Sequence, residues 1–355
     1  MWNKKIPYND LPLLPWKFDY NQTKLLKLAI KWTEKLSKLN WLVHLLPNAK
    51  ILISPLLIKE SVESSAIENI HTTTEKVLQS KALWKENISW PEKEVLHYQE
   101  AILYGFEQVK KLWWISTNLI VKIQSIIEPS KSWIRKIPWT VISNWSETIY
   151  TPPEWEQNIL NLLSNLEKFI NNFDDDIESL VKLPVIHYQF ESIHSFYDGN
   201  GRTWRILNIL YLILAKKLDF PVLFLSEYIN QTKSTYYKLL NKTTKTWDYT
   251  DFIVYLLEWV IKQADKTNKT ILDIHNLMEN TSQKLKTIWL DSYFISNVLF
   301  TEPFLSIKSF SDKLKISRQA WSKYIKKMEK EAIIETQLIW RTKLVYIPEF
   351  IKLLS

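Results

Sequence analysis

Residues 194–205 read HSFYDGNGRTWR, and this stretch holds two of the three glycines in a chain of 355 residues. Gly199, Asn200 and Gly201 stand between two segments with helical apolar spacing, so they predict a tight loop that opens into a helix. The successive backbone N–H groups of such a loop, together with the dipole of the following helix, form a site for an anion. The stretch therefore predicts a helix, a loop and a second helix arranged around a bound anion.

The charged and titratable side chains of this stretch suit phosphate chemistry. Arg202 and Arg205 stand three residues apart on one face of the first helical turn, where they can clamp phosphate oxygens. Asp198 is a hard oxygen ligand of the kind that Mg²⁺ requires, and His194 has the near-neutral pKa that suits a general base. A lone histidine or a lone Gly-Asn-Gly is more often structural. The full set within one short loop indicates transfer of a phosphate-type group.

Composition excludes several other classes of chemistry. The chain has no Cys, which rules out disulfides, thiol nucleophiles and Cys-based metal sites. The N-terminus lacks a signal-peptide pattern and no run of about 18 apolar residues occurs, so we expect a cytoplasmic protein without a membrane span. The formal net charge of +8 indicates an acidic partner, for which a nucleotide, a nucleic acid and a membrane surface are candidates.

The balance of tryptophan and glycine is abnormal. The chain has 18 Trp and 3 Gly, whereas glycine makes up about 7% of an average protein. Trp139, Trp145 and Trp340 stand in turn-like contexts, where glycine is favoured because it reaches positive φ without a steric penalty. We hypothesise that many of these residues are glycines in the natural protein, from a lineage in which UGA encodes glycine. The alternative is a protein that is truly rich in tryptophan.

The spacing of apolar residues predicts a mainly helical chain. One exception is the segment 134–150, whose apolar residues stand among turn formers and predict a short β-hairpin that ends at Pro152 and Pro153. Beyond residue 302, two helices, with Ser317 as the cap of the second, and two alternating segments follow the order of a winged helix-turn-helix. The predicted helices cover residues 21–45, 51–70, 93–111, 116–127, 156–173, 177–193, 202–217, 235–243, 249–285, 306–315 and 318–331.

Residues 194–205 match the Fic motif, His-x-Phe-x-Asp/Glu-Gly-Asn-Gly-Arg-x-x-Arg, at every specified position, so the chain resembles the Fic/DOC family. Ser195 replaces the proline that is usual at an unspecified position, and Trp204 stands where members often have a small residue. Residues 7–12 resemble the N-terminal extension of the family, and residues 134–142 resemble its flap. The resemblance implies a Fic-type helical bundle with a small β-hairpin flap, followed by a C-terminal winged helix-turn-helix.

The resemblance also implies a reaction and a role for each motif residue. His194 would be the base that deprotonates a Ser, Thr or Tyr hydroxyl of a target protein, or of the chain itself, and Asp198 would bind Mg²⁺. The hydroxyl would attack the α-phosphorus of ATP, so the implied reaction is transfer of AMP to protein. The flap would dock the target as an added strand. The implied nucleotide contacts are Gly199, Asn200, Gly201, Arg202, Arg205 and Tyr236, and the implied docking residues are Thr140, Val141, Ile142 and Ser143.

A second motif precedes the catalytic one. Residues 64–69 read SSAIEN and resemble the inhibitory pattern of the family, Ser/Thr-x-x-x-Glu-Gly/Asn. Many helices contain Ser-x-x-x-Glu by chance, but beside a full Fic motif it implies an inhibitory helix over about 56–70. Glu68 would then pair with Arg205 and exclude the γ-phosphate of ATP.

These interpretations divide the chain into an N-terminal extension over 1–85, a Fic core over 86–265, a connecting helix over 266–285 and a winged helix-turn-helix over 286–355. Residues 302–355 hold eleven Lys or Arg and six Asp or Glu. This excess leaves open a DNA-binding regulator whose core senses nucleotide, and also a basic module for protein interaction or dimerisation. Transfer of another nucleotide or of phosphate stays open too, because the residues of the loop suit phosphate groups and do not indicate which nucleobase is bound.

Overall fold

The computed structural model describes residues 3–46, 48, 50–83, 88–136, 138, 140–143, 148–288, 291–314, 317–339 and 341–354. The chain forms two compact units. The first comprises Met1–Ser37 and His97–Gln263, and the second comprises Lys38–Leu96 and Ala264–Ser355. Each unit therefore combines segments that are far apart in sequence.

The chain is mainly helical, as the sequence predicted. Most predicted helices occur within a few residues of the expected ends. One differs more: α9 begins well before the predicted residue 235, whereas α10 agrees with the predicted helix over 249–285 within two residues at each end. The helices are α1 (Thr23–His44), α2 (Lys50–Ile67), α3 (Thr74–Ala82), α4 (Trp90–Leu112), α5 (Thr117–Ile127), α6 (Glu156–Asn171), α7 (Ser179–Ile193), α8 (Asn200–Leu214), α9 (Ser226–Thr246), α10 (Thr250–Thr287), α11 (Ser292–Thr301), α12 (Ile307–Leu314), α13 (Arg318–Lys330) and α14 (Pro348–Leu354).

Helices α7 and α8 form the centre of the first unit. Residues 180–190 of α7 and 202–214 of α8 are buried without a break, which is the pattern of a helix covered on all sides. Helix α7 packs against α6 and α8, and α5 packs against α8. The loop over residues 194–199 therefore joins the two most enclosed helices, so its ends are held on rigid elements.

The predicted hairpin is present in the first unit. Strand β1 (Ile142–Ser143) pairs antiparallel with β2 (Thr148–Tyr150), with Ile142 opposite Tyr150 and Ser143 opposite Thr148. The strand covers only the last two of the four predicted docking residues. Residues 137, 139 and 144–147 lie outside the described residues.

The second unit contains α2 and the C-terminal module. Its sheet has the antiparallel order β3-β5-β4, formed by β3 (Phe304–Ser306), β4 (Glu335–Ile339) and β5 (Thr342–Tyr346). Helices α12 and α13 precede the β4–β5 hairpin, and α2 packs against α3, α11 and α14. The sequence did not predict β3, α3, α11 or α14. The predicted helix over 306–315 began one residue too early, because Ser306 is the last residue of β3. The winged helix-turn-helix stays a prediction.

Three tryptophans have backbone conformations that favour glycine. Trp113, Trp155 and Trp247 have φ values of 48°, 70° and 54°. They are three of the eight non-glycine residues with positive φ in the described chain. Residues with a Cβ rarely adopt positive φ because of steric repulsion. Trp113 and Trp247 directly follow the ends of α4 and α9, where glycine is the usual left-handed residue, and Trp155 directly precedes α6. These conformations support the hypothesis that the natural protein has glycine at such positions.

Candidate active site

His194 directly follows α7 and is the first residue of the loop over 194–199. It adopts the left-handed conformation, with φ 48° and ψ 59°, and its backbone N–H donates to the carbonyl of Phe190 at 3.1 Å. Burial lowers the pKa of His194 to about 4, and the positive charge of Arg135 acts in the same direction. The imidazole is therefore neutral at pH 7, the state in which it can accept a proton. Its Nδ1 atom is buried and has no hydrogen-bond partner among the described residues.

Asn200 holds the loop in shape. Its Oδ1 accepts the backbone N–H of Phe196 at 3.0 Å, and its Nδ2 donates to the carbonyl of Phe196 at 2.7 Å. Gly199 precedes α8 with φ 76°, and a Cβ at this position would lie 3.2 Å from Cγ of Glu128. Both ends of the Asn200 amide are thus bonded within the loop, and its backbone N–H lies at the start of α8.

Asp198 lies at the open side of the loop. Its Oδ2 is 2.7 Å from Nζ of Lys131, and its Oδ1 accepts the N–H of Gly199 at 2.8 Å. Burial alone would raise the pKa of Asp198, but these hydrogen bonds lower it below its usual value. In the described ranges no cluster of three His, Asp or Glu could hold a metal ion. The Asp198 carboxylate could hold Mg²⁺ together with the phosphates of a nucleotide, because Mg²⁺ commonly takes only one or two protein carboxylates.

The two arginines of the motif are buried at the start of α8. Arg202 bonds the carboxylate of Glu128 and lies 3.8 Å from Oδ1 of Asp198. The guanidinium carbon of Arg205 is 5.3 Å from the ring centroid of Trp204. Both side chains add positive charge to the helix N-terminus, which favours an anion there. The sequence reasoning missed Glu128, because it stands 74 positions before Arg202.

Arg135 is a second residue that the sequence reasoning missed. Its Nε donates to the carbonyl of His194 at 2.6 Å, and one NH₂ group donates to the carbonyls of Pro153 and Ile193 at 2.6 and 3.1 Å. Burial lowers the pKa of Arg135 to about 10, so the guanidinium stays charged at pH 7. The side chain thus satisfies carbonyls at the end of α7, where a cation is also favoured by the helix dipole. Its position in the segment resembling the flap was the only available signal.

The predicted docking residues follow this arginine in the chain. The backbone N–H of Arg135 donates to the carbonyl of Ser195 at 3.0 Å, and Ile134 pairs with Phe196 as a β-bridge. The segment that leads into the hairpin is therefore joined to the catalytic loop by backbone pairing. Thr140, Val141, Ile142 and Ser143 are all at least partly exposed, and Val141 is 44% exposed.

Tyr236 belongs to a buried aromatic cluster. Its hydroxyl is 2.8 Å from Nε2 of His187, and its ring stacks on Trp204 with centroids 6.2 Å apart. The rings of His187 and Trp204 have centroids only 3.7 Å apart, whereas aromatic pairs prefer about 4.5–7 Å. The indole of Trp204 is therefore crowded. A glycine at position 204 would leave open space beside Arg205 and Tyr236.

Glu68 lies just beyond the end of α2, which stops at Ile67 and not at the predicted residue 70. Its backbone N–H donates to the carbonyl of Ser65 at 3.0 Å, and Asn69 follows with φ 62°. The Glu68 residue is exposed. It belongs to the second unit, whereas residues 194–205 belong to the first. Inhibition through a pair with Arg205 stays a prediction.

The described residues thus define a mainly helical protein with a histidine, a glycine-bearing loop and two buried arginines at one junction. Residues 26–107 match the family model described as Fic/DOC family N-terminal, and residues 114–212 match the model described as Fic/DOC family. Together the two matches cover about half of the chain. The chain belongs to the Fic/DOC family.

Solved structures share the fold. A Fic family protein from Desulfovibrio desulfuricans G20 has a TM-score of 0.59 and 18% identity, over 92% of this chain and 96% of that one. A fragment of Fic-1 from C. elegans has a TM-score of 0.54 and 18% identity, over 70% and 73%. A Fic domain containing signaling protein from Bacteroides thetaiotaomicron has a TM-score of 0.52 and 18% identity, over 70% and 96%. No helix in the described part of the chain is long and apolar enough to cross a membrane.

Proposed function

We propose that this protein transfers AMP from ATP to a Ser, Thr or Tyr hydroxyl of a target protein. The hydroxyl oxygen attacks the α-phosphorus, its proton passes to His194, and the bond to pyrophosphate breaks. The products are AMP-protein and pyrophosphate. The observation that carries this proposal is a neutral histidine at the end of α7, directly before a loop that presents backbone N–H groups and two buried arginines.

Each residue of the loop has a place in this reaction. The N–H groups at the start of α8 and the guanidinium groups of Arg202 and Arg205 hold phosphate oxygens, whose charge grows as pyrophosphate leaves. Asp198 holds Mg²⁺, which neutralises phosphate charge when bound. Asn200 keeps the loop in its bonded shape, and Arg135 fixes the carbonyl of His194 and with it the position of the imidazole.

The test is incubation with labelled ATP and Mg²⁺, followed by intact-mass analysis for an added AMP on the chain itself. His194→Ala should abolish the adduct and leave ATP affinity nearly unchanged, because only the proton acceptor is lost. His71→Ala, an exposed histidine outside the motif, is the control. An unchanged adduct in His194→Ala would overturn the role of His194. An adduct of phosphate, or a preference for GTP, CTP or UTP, would support the alternative donors.

We further propose that Glu68 restrains the reaction. A carboxylate that reaches Arg205 occupies the cation that the γ-phosphate needs and repels that phosphate by like charge. Support comes from the match of residues 64–69 to the inhibitory pattern of the family, directly after α2. Glu68→Gly should raise AMP transfer at fixed ATP, whereas Glu75→Gly, another exposed glutamate of the same unit, should not. Equal rates for Glu68→Gly and the unaltered chain would remove the inhibitory role.

DNA binding through residues 302–355 is a second candidate function. Helix α13 follows α12 in the chain, and it exposes Lys323, Lys326 and Lys327 on its surface. Such lysines can contact DNA phosphates, and their contribution falls as salt rises. The test is fluorescence anisotropy with a labelled DNA duplex at several salt concentrations. Reversing the charge of these three lysines should abolish binding and leave AMP transfer intact. Binding that does not respond to the reversal would exclude α13 as the contact surface.

A further inference from the structure

A basic groove lies beside the hairpin of the first unit. It has a volume of about 1390 Å³ and is formed by the N-terminal segment, strand β2 and helix α9. Lys238, Lys242 and Lys245 line it from α9, where a spacing of three or four residues places them on one face. Lys4 lines it from the N-terminal segment.

The charge of the groove is strongly one-sided. The four lysines face a single lining carboxylate, Asp251, which pairs with Lys242. Lys238, Lys242 and Lys245 are exposed, and Lys4 is partly exposed. The lining therefore carries three formal positive charges in excess. Because exposed charges of one sign attract an oppositely charged partner, the groove suits an acidic ligand.

The walls of the groove continue into the candidate active site. Thr148 and Ile149 of β2 line the groove, and the next residue, Tyr150, donates its hydroxyl to the carbonyl of Ser192, two residues before His194. Thr235 lines the groove from α9, and the next residue, Tyr236, belongs to the buried cluster around Trp204. A chain lying in the groove would therefore pass beside elements that hold the catalytic loop.

The chemistry of the lining favours a polypeptide over a nucleic acid. Ile149 and Leu239 place apolar surface between the lysines. No aromatic side chain lines the described part of the groove, whereas single-stranded nucleic acid is usually held by aromatic rings on which its bases stack. An extended polypeptide beside a short β-strand needs only backbone pairing and pockets for alternate side chains.

We infer that this groove binds an acidic segment of the target protein, next to the hydroxyl that receives AMP. The inference rests on the proposed AMP transfer and names its substrate class: a hydroxyl residue flanked by Asp and Glu. Acidic flanking residues would pair with Lys238 and Lys245, while the hydroxyl residue reaches the loop at His194.

The experiment measures peptide binding to the full chain without ATP. Two fluorescent peptides of equal length carry a central Ser-Thr-Tyr, flanked in one by Glu and Asp and in the other by Gln and Asn. We expect the acidic peptide to bind about ten-fold more tightly at low salt, since exposed ion pairs each contribute up to about a factor of five. The double variant Lys238→Glu, Lys245→Glu should lose this preference. The control Lys122→Glu, Lys168→Glu makes the same change of net charge on α5 and α6, outside the groove, and should keep it.

Three results would overturn the inference: equal binding of the two peptides, an equal loss in the control variant, or tighter binding of a labelled oligothymidylate that the groove variant alone loses. Circular dichroism checks that each variant is folded. Transfer of AMP is measured separately by self-modification. Equal binding of the two peptides to an unaltered chain that self-modifies normally would refute only the groove inference. A peptide preference in an unaltered chain that forms no AMP adduct would refute only the proposed function.

Discussion

Replacing Trp113 by glycine tests the hypothesis that glycines have been replaced by tryptophan in this chain. Trp113 follows the end of α4 with φ 48°, and its side chain is 44% exposed. Its neighbour Trp114 is 45% exposed and is not among the positive-φ residues. The pair therefore differs mainly in backbone conformation. Trp114→Gly is a matched control in the same unit.

The expected difference follows from the backbone. A left-handed conformation costs an L-residue about 1–2 kcal/mol, and glycine at position 113 would remove this cost. Each substitution loses a similar area of buried indole. Each also loses polar contacts: the Trp113 ring lies 5.4 Å from Nζ of Lys110 and 5.6 Å from Nζ of Lys216, and Trp114 donates to Glu167 at 3.1 Å. We therefore expect Trp113→Gly to be more stable than Trp114→Gly by about 1–2 kcal/mol in the free energy of unfolding.

The assay is urea denaturation followed by circular dichroism, with equal m-values as the condition for comparing midpoints. A midpoint for Trp113→Gly at or below that of Trp114→Gly would refute the argument from backbone strain. Reading the codons at positions 113, 155, 204 and 247 gives an independent answer. UGA at these positions supports natural glycine, whereas UGG at all four removes the hypothesis.

Three further predictions concern the site. Because the folded-state pKa of His194 is about 4 and its unfolded value is about 6.5, AMP transfer should stay level from pH 8 to 6 and fall towards pH 4. The free energy of unfolding should also fall between about pH 6.5 and pH 4, by about 1.4 kcal/mol per pH unit, because the unfolded chain takes up the proton before the folded chain does. Urea denaturation midpoints at each pH measure this loss, with His194→Asn as the control. Lys131→Met should tighten Mg²⁺ binding in the presence of a non-hydrolysable ATP analogue, since Lys131 and Mg²⁺ would compete for the Asp198 carboxylate. Weaker Mg²⁺ binding by the variant in calorimetry would contradict this competition. Arg135→Ala should lower the free energy of unfolding by about 3 kcal/mol in urea denaturation, because buried carbonyls lose their donor. The control Lys136→Ala removes only an exposed ion pair with Glu156 and should lower it by less than about 1 kcal/mol.

Local patterns determined most of the fold. Apolar residues at helical spacing predicted most of the helices, because a helix must bury one face and spacing in sequence records which face; the short helices α3, α11 and α14 were not predicted. The hairpin was also predicted, because turn formers and a Pro-Pro stop are local signals. Strand β3 was not, since three residues gain strand structure only by pairing with β5, about 40 positions later.

The sequence by itself determined the composition of the catalytic loop: a histidine, a carboxylate, two glycines and two arginines within residues 194–205. Only the tertiary structure decided the state of these groups. Glu128 neutralises Arg202 from 74 positions away, and Arg135 caps α7 from about 60 positions away. Burial among the packed helices, and not the residue type, moves the pKa of His194 from near neutrality to about 4. The physical reason is that residue types are local, whereas desolvation and charge pairing depend on which distant segments the fold brings together.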